Sequence, residues 1–424
     1  MFMKSPAYLL FFLTGLFFTS CQTAKIKKAY VQSGLNQLHT GILIQDQNGK
    51  MVFSQQAEQY FMPASNAKLL TFLLAKTILP DSIPAFAYQE QGDSLYFWGT
   101  GDPSTLHAKL KNKAMLDFLQ ASQKNLVYAD DAKLTLPQGA GWAWDDYQDY
   151  YAAEISTLPL YENLAHFTNL GHAWKVHPSF FQSSMSITSE KDASRDRTSN
   201  QFRLPAPDAK SSPKSITIPY ITSPTLTAQL LSDTLHKTVH YRAVKRDSLQ
   251  SKLVYAGKLD SLLVPLLHYS DNMVGEQLIY LMGAQKGWNG PTANIIQKLM
   301  QEPSFEFLKE VKWVDGSGLS RYNLFRPKDM IMILQKLQDR LMESQWKFLL
   351  PELGKSGTLK SMKLANPQSH AWAKSGSFGN TYNLSGYYQN AHGKRYLFTI
   401  MTNLANQSVS VNKKQILAFL NVLN

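Results

Sequence analysis

The hydrophobic pattern changes character several times along the chain. Ala7 to Phe18 is an apolar run of 12 residues, preceded by Lys4 and followed by Thr19, Ser20 and Cys21. A membrane-spanning helix takes about 20 apolar residues, so the run fits the apolar core of an export signal better. Gly41–Gln45 and Met51–Ser54 flank Asp46-Gln-Asn-Gly-Lys50, which predicts a β-hairpin with an Asn-Gly turn. Between Asn66 and Ile78, the spacing of Leu69, Leu70, Phe72, Leu73 and Leu74 predicts a helix. Residues 95–150 mix short strands with turns such as Gly99-Thr-Gly-Asp-Pro103. Helical spacing returns at Leu259–Leu267, Val274–Met282 and Pro327–Leu341. Asn383–Tyr388 and Arg395–Asn403 read as strands around Asn390-Ala-His-Gly393, a second hairpin, and Lys413–Leu423 closes the chain as a helix.

Strands near both ends, with helices and a long segment between, predict an α/β unit. Its sheet combines N- and C-terminal strands, and the middle of the chain is inserted into it. Ser186–Ser215 is rich in Ser, Asp, Lys, Arg and Pro and reads as a solvated excursion. No internal repeat is evident.

Composition sharpens this picture. The chain has 424 residues, 44% of them hydrophobic and 12% aromatic, which excludes bulk disorder and predicts two or three folded units. A single cysteine excludes a disulfide framework and a Cys-based zinc site. Its position is informative, because Thr19-Ser-Cys21 resembles a bacterial lipobox. Residues 1–20 are then a lipoprotein signal peptide, Cys21 is the lipidation site, and the chain is an exported, periplasm-facing membrane lipoprotein. The formal net charge of +12 falls by one with Lys4 and leaves an anionic partner open. The basic Ala24–Lys28 stretch reads as a solvated linker beside the anchor.

Four Ser-x-x-Lys segments begin at Ser65, Ser211, Ser344 and Ser410. Ser65-Asn-Ala-Lys68 sits at the start of an apolar helix, after Phe61-Met-Pro-Ala64. There the i, i+3 spacing sets both side chains on one face, as a Ser nucleophile with a Lys base requires. Ser270-Asp-Asn272 follows an apolar run and suits a helix N-cap. Lys-Ser-Gly occurs at Lys355 and at Lys374. Lys374-Ser-Gly376 precedes the C-terminal hairpin and is taken as the functional copy. A strand edge there offers an ammonium, a hydroxyl and backbone N–H groups, with Gly376 allowing close approach of a ligand backbone.

Ser-x-x-Lys, Ser-x-Asn and Lys-[Ser/Thr]-Gly in that order form the penicilloyl-serine transferase signature. Ser65 and Ser270 lie 205 positions apart, and Ser270 and Lys374 lie 104 apart. The first gap exceeds that of a simple β-lactamase. The chain resembles the low-molecular-mass class C penicillin-binding proteins, the D-Ala-D-Ala carboxypeptidase/endopeptidase family. Pro63–Thr71, Leu95–Pro103, Gly141-Trp-Ala-Trp-Asp-Asp146 with Tyr161-Glu-Asn163, Asp315–Arg321, Gly357-Thr-Leu359 and Tyr382–Gly386 carry the resemblance further. Ser375 and Ser377 stand where Thr is common, and both keep the hydroxyl.

The resemblance implies an α/β fold: a split transpeptidase/β-lactamase-like domain, its antiparallel sheet flanked by helices, with an inserted mainly-β region. The expected split is 21–85 with 250–424, around an insertion of 86–249. It implies Ser65, Lys68 and Ser270 as catalytic residues, and Asn272, Lys374, Ser375, Gly376 and Ser377 as substrate-binding residues. Asp146 is the candidate contact for the substrate side-chain ammonium. Peptidoglycan stem peptides are the expected substrate and β-lactams the acylating inhibitors. No cofactor, metal or nucleic acid is expected. His236-x-x-x-His240 has metal-ligand spacing but reads as an ordinary surface helix. Two other classes stay open. A serine β-lactamase or esterase would share Ser65 and Lys68 but deacylate fast, and a non-catalytic wall-binding lipoprotein would take no penicillin label.

Overall fold

A computed structural model describes residues 23–110, 112–130, 139–208, 210, 213–247 and 250–424. The expected signal peptide and Cys21 lie outside the described residues. Among the described residues, no helix is long and apolar enough to cross a membrane. The chain forms two compact units. One holds residues up to Leu69, Glu310–Trp313 and Asn323–Asn424; the other holds Leu70–Lys309 and Val314–Tyr322.

The first unit is built on a five-stranded antiparallel sheet. Its order is His370–Phe378, Thr381–Gln389, Arg395–Asn403, His39–Asp46, Met51–Gln55. N- and C-terminal strands therefore share one sheet, with Ile42 opposite Ile400 and Leu384 also opposite Ile400. Both hairpins form where the turn signals place them, with Gly49 and Gly393 in the left-handed region at φ 77° and 79°. Asp46 Oδ1 tightens the first turn by accepting from the N–H groups of Asn48 and Lys50.

Alternation then sorts the side chains onto two faces. Ile42, Ile44, Leu384, Phe398 and Ile400 join Ile416, Phe419 and Leu420 of the C-terminal helix Val409–Leu420 in one core. The other face takes the Pro327–Arg340 helix: a Cβ on Gly41 would meet the ring of Pro327. Arg395–Asn403 is buried from its second residue onward. A sheet covered on both faces reads as a continuous apolar run for this reason.

The second unit is mainly β between residues 82 and 258. Its largest sheet runs Val239–Arg242, Asn125–Ala129, Ser94–Gly99, Ser82–Gln91, Lys252–Lys258. Two three-stranded sheets accompany it. Asn272–Gln285 is its most enclosed helix, buried at every position from Met273 to Gly283.

Two local readings change. Ser186–Ser215 is not a bare excursion: Met185–Thr188, Phe202–Pro205 and Ser194–Arg195 pair into a sheet that buries Phe202 and Leu204. Polar composition hid those two anchors. His236 and His240 do not share a helix either. His236 ends the Pro224–Leu235 helix with φ 51°, and His240 lies in the Val239–Arg242 strand.

Candidate active site

In the first unit, the segment before Ser65 is fixed by backbone and amide contacts. Phe61 exchanges two 2.9 Å backbone hydrogen bonds with Phe325. The Met62 N–H donates to Asn403 Oδ1 at 2.7 Å, and its carbonyl accepts from Asn383 Nδ2 at 2.8 Å and Asn403 Nδ2 at 3.2 Å. Two sheet asparagines thus grip the backbone of one residue on both sides. Ala64 then takes φ 46°, a left-handed conformation unusual for a residue with a Cβ. A short 3-10 turn, Ala64–Ala67, leads from there into the Lys68–Ile78 helix. Asn66 points into the sheet, and its Nδ2 donates to Ser385 Oγ at 2.7 Å.

This turn presents the expected pair. Lys68 Nζ donates to Ser65 Oγ at 3.0 Å. Lys68 is fully buried while Ser65 is half-buried. Lys374 is also fully buried, and its Nζ donates to the Ser375 carbonyl at 2.7 Å. Burial pushes the Lys374 ammonium well below the usual lysine range, and the charge of Lys68 pushes it further the same way. Ser375 Oγ shares a 2.9 Å hydrogen bond with Thr358 Oγ1, and Ser377 is exposed.

Gly376 explains how the Lys374 strand fits against the turn. A Cβ there would lie 2.6 Å from the Pro63 carbonyl and 2.8 Å from the Ser65 and Asn66 nitrogens. The absent side chain makes room for the protein's own backbone.

The other copies of these motifs differ. The Lys355 side chain is 59% exposed and pairs with Glu352 at 2.8 Å. Ser344 and Ser410 are exposed on helices, and Ser211 lies outside the described residues.

In the second unit, Ser270 takes φ 59° and Asp271 caps the Asn272–Gln285 helix, its Oδ1 accepting from the Val274 N–H at 3.1 Å. Asn272 Nδ2 donates to the Tyr151 carbonyl at 2.9 Å. The Tyr151 hydroxyl reaches Asp146 Oδ1 at 3.0 Å and Asp149 Oδ2 at 2.7 Å, while Arg321 lies 3.7 Å from Asp146. Asp146 is thus tied, through Tyr151, to the segment holding Asn272.

Trp142 Nε1 donates to Asp315 Oδ2 at 2.8 Å, and the N–H groups of Gly318 and Ser320 also converge on Asp315. Two stretches far apart in the sequence, Gly141–Asp146 and Asp315–Arg321, are therefore bonded together. Beside it, buried Glu276 accepts from the Ser317 N–H at 2.7 Å. Burial, and then Asp315, raise the Glu276 carboxyl to about 7.

Sequence reasoning did not single out Thr358, Asn383 or Asn403 as site residues. Thr358 follows the Lys355-Ser-Gly357 copy directly, so that copy supplies a neighbour to Ser375 rather than a lysine.

Residues 22–422 match the model of the D-Ala-D-Ala carboxypeptidase 3 (S13) family. The chain belongs to this family. The membership expected from three ordered motifs is borne out.

Over 158 residues the S13 chain is 30% identical to D-alanyl-D-alanine carboxypeptidase DacB of Haemophilus influenzae, covering 34% of this chain and 32% of that protein. The match thus spans about a third of the curated relative's length. Penicillin-binding protein 4 of H. influenzae superimposes with a TM-score of 0.70 at 18% identity, covering 94% of this chain and 98% of that one. A predatory peptidoglycan endopeptidase of Bdellovibrio bacteriovorus does so with 0.52 at 13% identity, covering 91% and 92%. At these identities the likeness is one of fold, and it bears out the α/β transpeptidase-like class.

Proposed function

We propose that this S13 chain is a penicillin-binding serine D-Ala-D-Ala carboxypeptidase, with DD-endopeptidase activity on the same bond type, acting on peptidoglycan stem peptides. The carrying observation is the 3.0 Å bond from buried Lys68 to Ser65 on a turn braced by Gly376 and the two asparagines. Ser65 Oγ forms a bond to the penultimate D-Ala carbonyl carbon while Lys68 takes its proton. The C–N bond breaks, the terminal D-Ala leaves as an amine carrying a proton, and water then hydrolyses the acyl-enzyme.

Lys374, with the Ser375 hydroxyl, binds the substrate carboxylate. The arriving anion would restore the Lys374 proton that burial disfavours. Backbone N–H groups of Ser65 and Ser377 stabilise the oxyanion, each donor worth roughly 3–4 kcal/mol. The motif order supports Ser270 as the proton relay to the leaving amine and Asn272 as the amide that holds a peptide carbonyl. Asp146 is the contact for a side-chain ammonium. β-Lactams acylate Ser65 and deacylate slowly.

The shared N- and C-terminal sheet favours a catalytic domain split as 21–85 and 250–424 around 86–249. The lipobox-like segment supports export and a lipid anchor at Cys21. Digestion of purified muropeptides with mass-spectrometric readout tests the activity. Free D-Ala from pentapeptides, or monomers from cross-linked dimers, supports it, and neither product from chain that takes penicillin contradicts it.

A further inference from the structure

His107 belongs to none of the three motifs, yet its buried ring sits against one of them. Its Nε2 lies 3.3 Å from Asp271 Oδ2 and 3.4 Å from Glu162 Oε1. Asp271 is the middle residue of Ser270-Asp-Asn272 and the cap of the helix that begins at Asn272. Its two oxygens divide the work: Oδ1 accepts the Val274 N–H and Oδ2 faces His107. Burial alone would raise the Asp271 carboxyl. The His107 contact and the Val274 N–H outweigh it, and the group lies below the usual carboxylate range.

One imidazole and two carboxylates at this spacing have the donor set of a divalent cation site. The other ring nitrogen decides against that reading. The Lys109 N–H donates to His107 Nδ1 at 3.1 Å. Nδ1 therefore carries the lone pair, and the neutral ring keeps its proton on Nε2. A metal would need the Nε2 lone pair, which would set an Nδ1 proton against the Lys109 N–H. Nε2–H is instead a donor shared between Asp271 and Glu162.

Glu162 is held for this contact at a cost. Tyr161, Glu162 and Asn163 have φ of 54°, 61° and 55°, three successive left-handed residues with side chains. Such conformations are strained and persist where surroundings enforce them. Here the Ala108 N–H reaches Glu162 Oε2 at 3.3 Å, and Asn163 Nδ2 reaches the Glu154 carbonyl at 2.8 Å. Ser270 is left-handed as well.

We propose that His107 is a positioning residue for the second motif. Its Nε2–H, anchored through Glu162 on the strained turn, holds Asp271 and so sets the backbone of Ser270 and the aim of the Asn272 amide. This rests on the reading above in which Ser270 and Asn272 serve the acylation of Ser65.

The test uses the full chain with a fluorescent penicillin, alongside melting temperature, kcat and KM on a D-Ala-D-Ala peptide, and metal content by mass spectrometry before and after EDTA. His107→Ala should slow acylation by about tenfold or more, because small misplacements of reacting groups cost about that much. The loss should fall on kcat rather than KM. His107→Gln, which supplies an N–H near the Nε2 position, should recover most of the rate. Asp271→Asn keeps an oxygen for the Val274 cap but loses the second acceptor. It should slow acylation, and adding His107→Ala should cost little more, since the two act as one unit. EDTA should change nothing.

The inference falls if folded His107→Ala acylates like wild type, or if Gln rescues no better than Ala. It also falls if the two substitutions add independently, or if the wild-type chain yields stoichiometric metal whose removal stops acylation. If His107→Ala does not fold, the same cycle with His107→Phe, which fills the ring's place without an N–H, decides. Wild-type chain that takes no penicillin would instead overturn the proposed function, and this inference with it.

Discussion

A Cβ on Gly376 would lie 2.8 Å from the backbone nitrogen of Ser65. The strand carrying Lys374 therefore rests directly on the turn carrying Ser65, with no side chain between them. Gly376→Ala must push the strand off the turn or bend the turn, at about 1–3 kcal/mol for an overpacked site. The expected outcome is a lower melting temperature together with slower acylation by a fluorescent penicillin. Wild-type behaviour in both measurements would show that the strand and turn can separate freely.

Lys374 is buried beside Lys68, and its charged form is disfavoured in the folded chain. Below the usual lysine range the unfolded chain then binds more protons, so this residue's contribution to stability rises with pH until it reaches that range. Lys374→Met removes the group. It should gain stability relative to wild type near neutrality, and the gap should close as pH approaches about 10. Denaturant melts at several pH values read this directly, and a gap that stays constant contradicts the assignment.

The two Lys-Ser-Gly copies make opposite predictions. Lys355 is largely exposed and pairs only on the surface with Glu352. Lys355→Ala should leave acylation intact and change stability by at most about 0.5 kcal/mol. Lys374→Ala should cripple acylation. Side-by-side penicillin labelling checks this, and the reverse result would exchange the roles of the two loops.

Glu276 is buried against Asp315, with its carboxyl raised to about 7 from an ordinary 4.5. A raised carboxylate gives stability that is fully present below 4.5 and is lost as pH rises through about 7. Glu276→Gln keeps an oxygen for the Ser317 N–H and cannot ionise. It should match wild type near the lower value and exceed it above the upper one, as followed by melting temperature across that window. A variant equally or less stable at every pH would contradict the raised carboxyl.

Local signals were readable from the sequence and long-range ones were not. Alternation and Asn-Gly chemistry act within a few residues, so both hairpins and their strands were legible, as was the helix after Ser65. Motif order carried Ser65, Lys68 and Lys374, because the chemistry demands those side chains. The grip of Asn383 and Asn403 on Met62 spans more than 300 positions and leaves no local pattern. Thr358 and Ser375 meet across a loop for the same reason. His107 carries no local signal, since its meaning depends on Glu162 and Asp271 arriving from elsewhere in the chain. In Ser186–Ser215, the abundance of polar residues outweighed two buried anchors that only a folded sheet reveals.

The central claim is that Ser65 is the nucleophile activated by Lys68. The most direct test is fluorescent-penicillin labelling of the Ser65→Ala chain, with intact-mass detection of the adduct on wild type. The account predicts a covalent adduct on wild type that maps to the Ser65 peptide, and none on a folded Ser65→Ala variant. An adduct that persists in that variant would place the nucleophile on another residue.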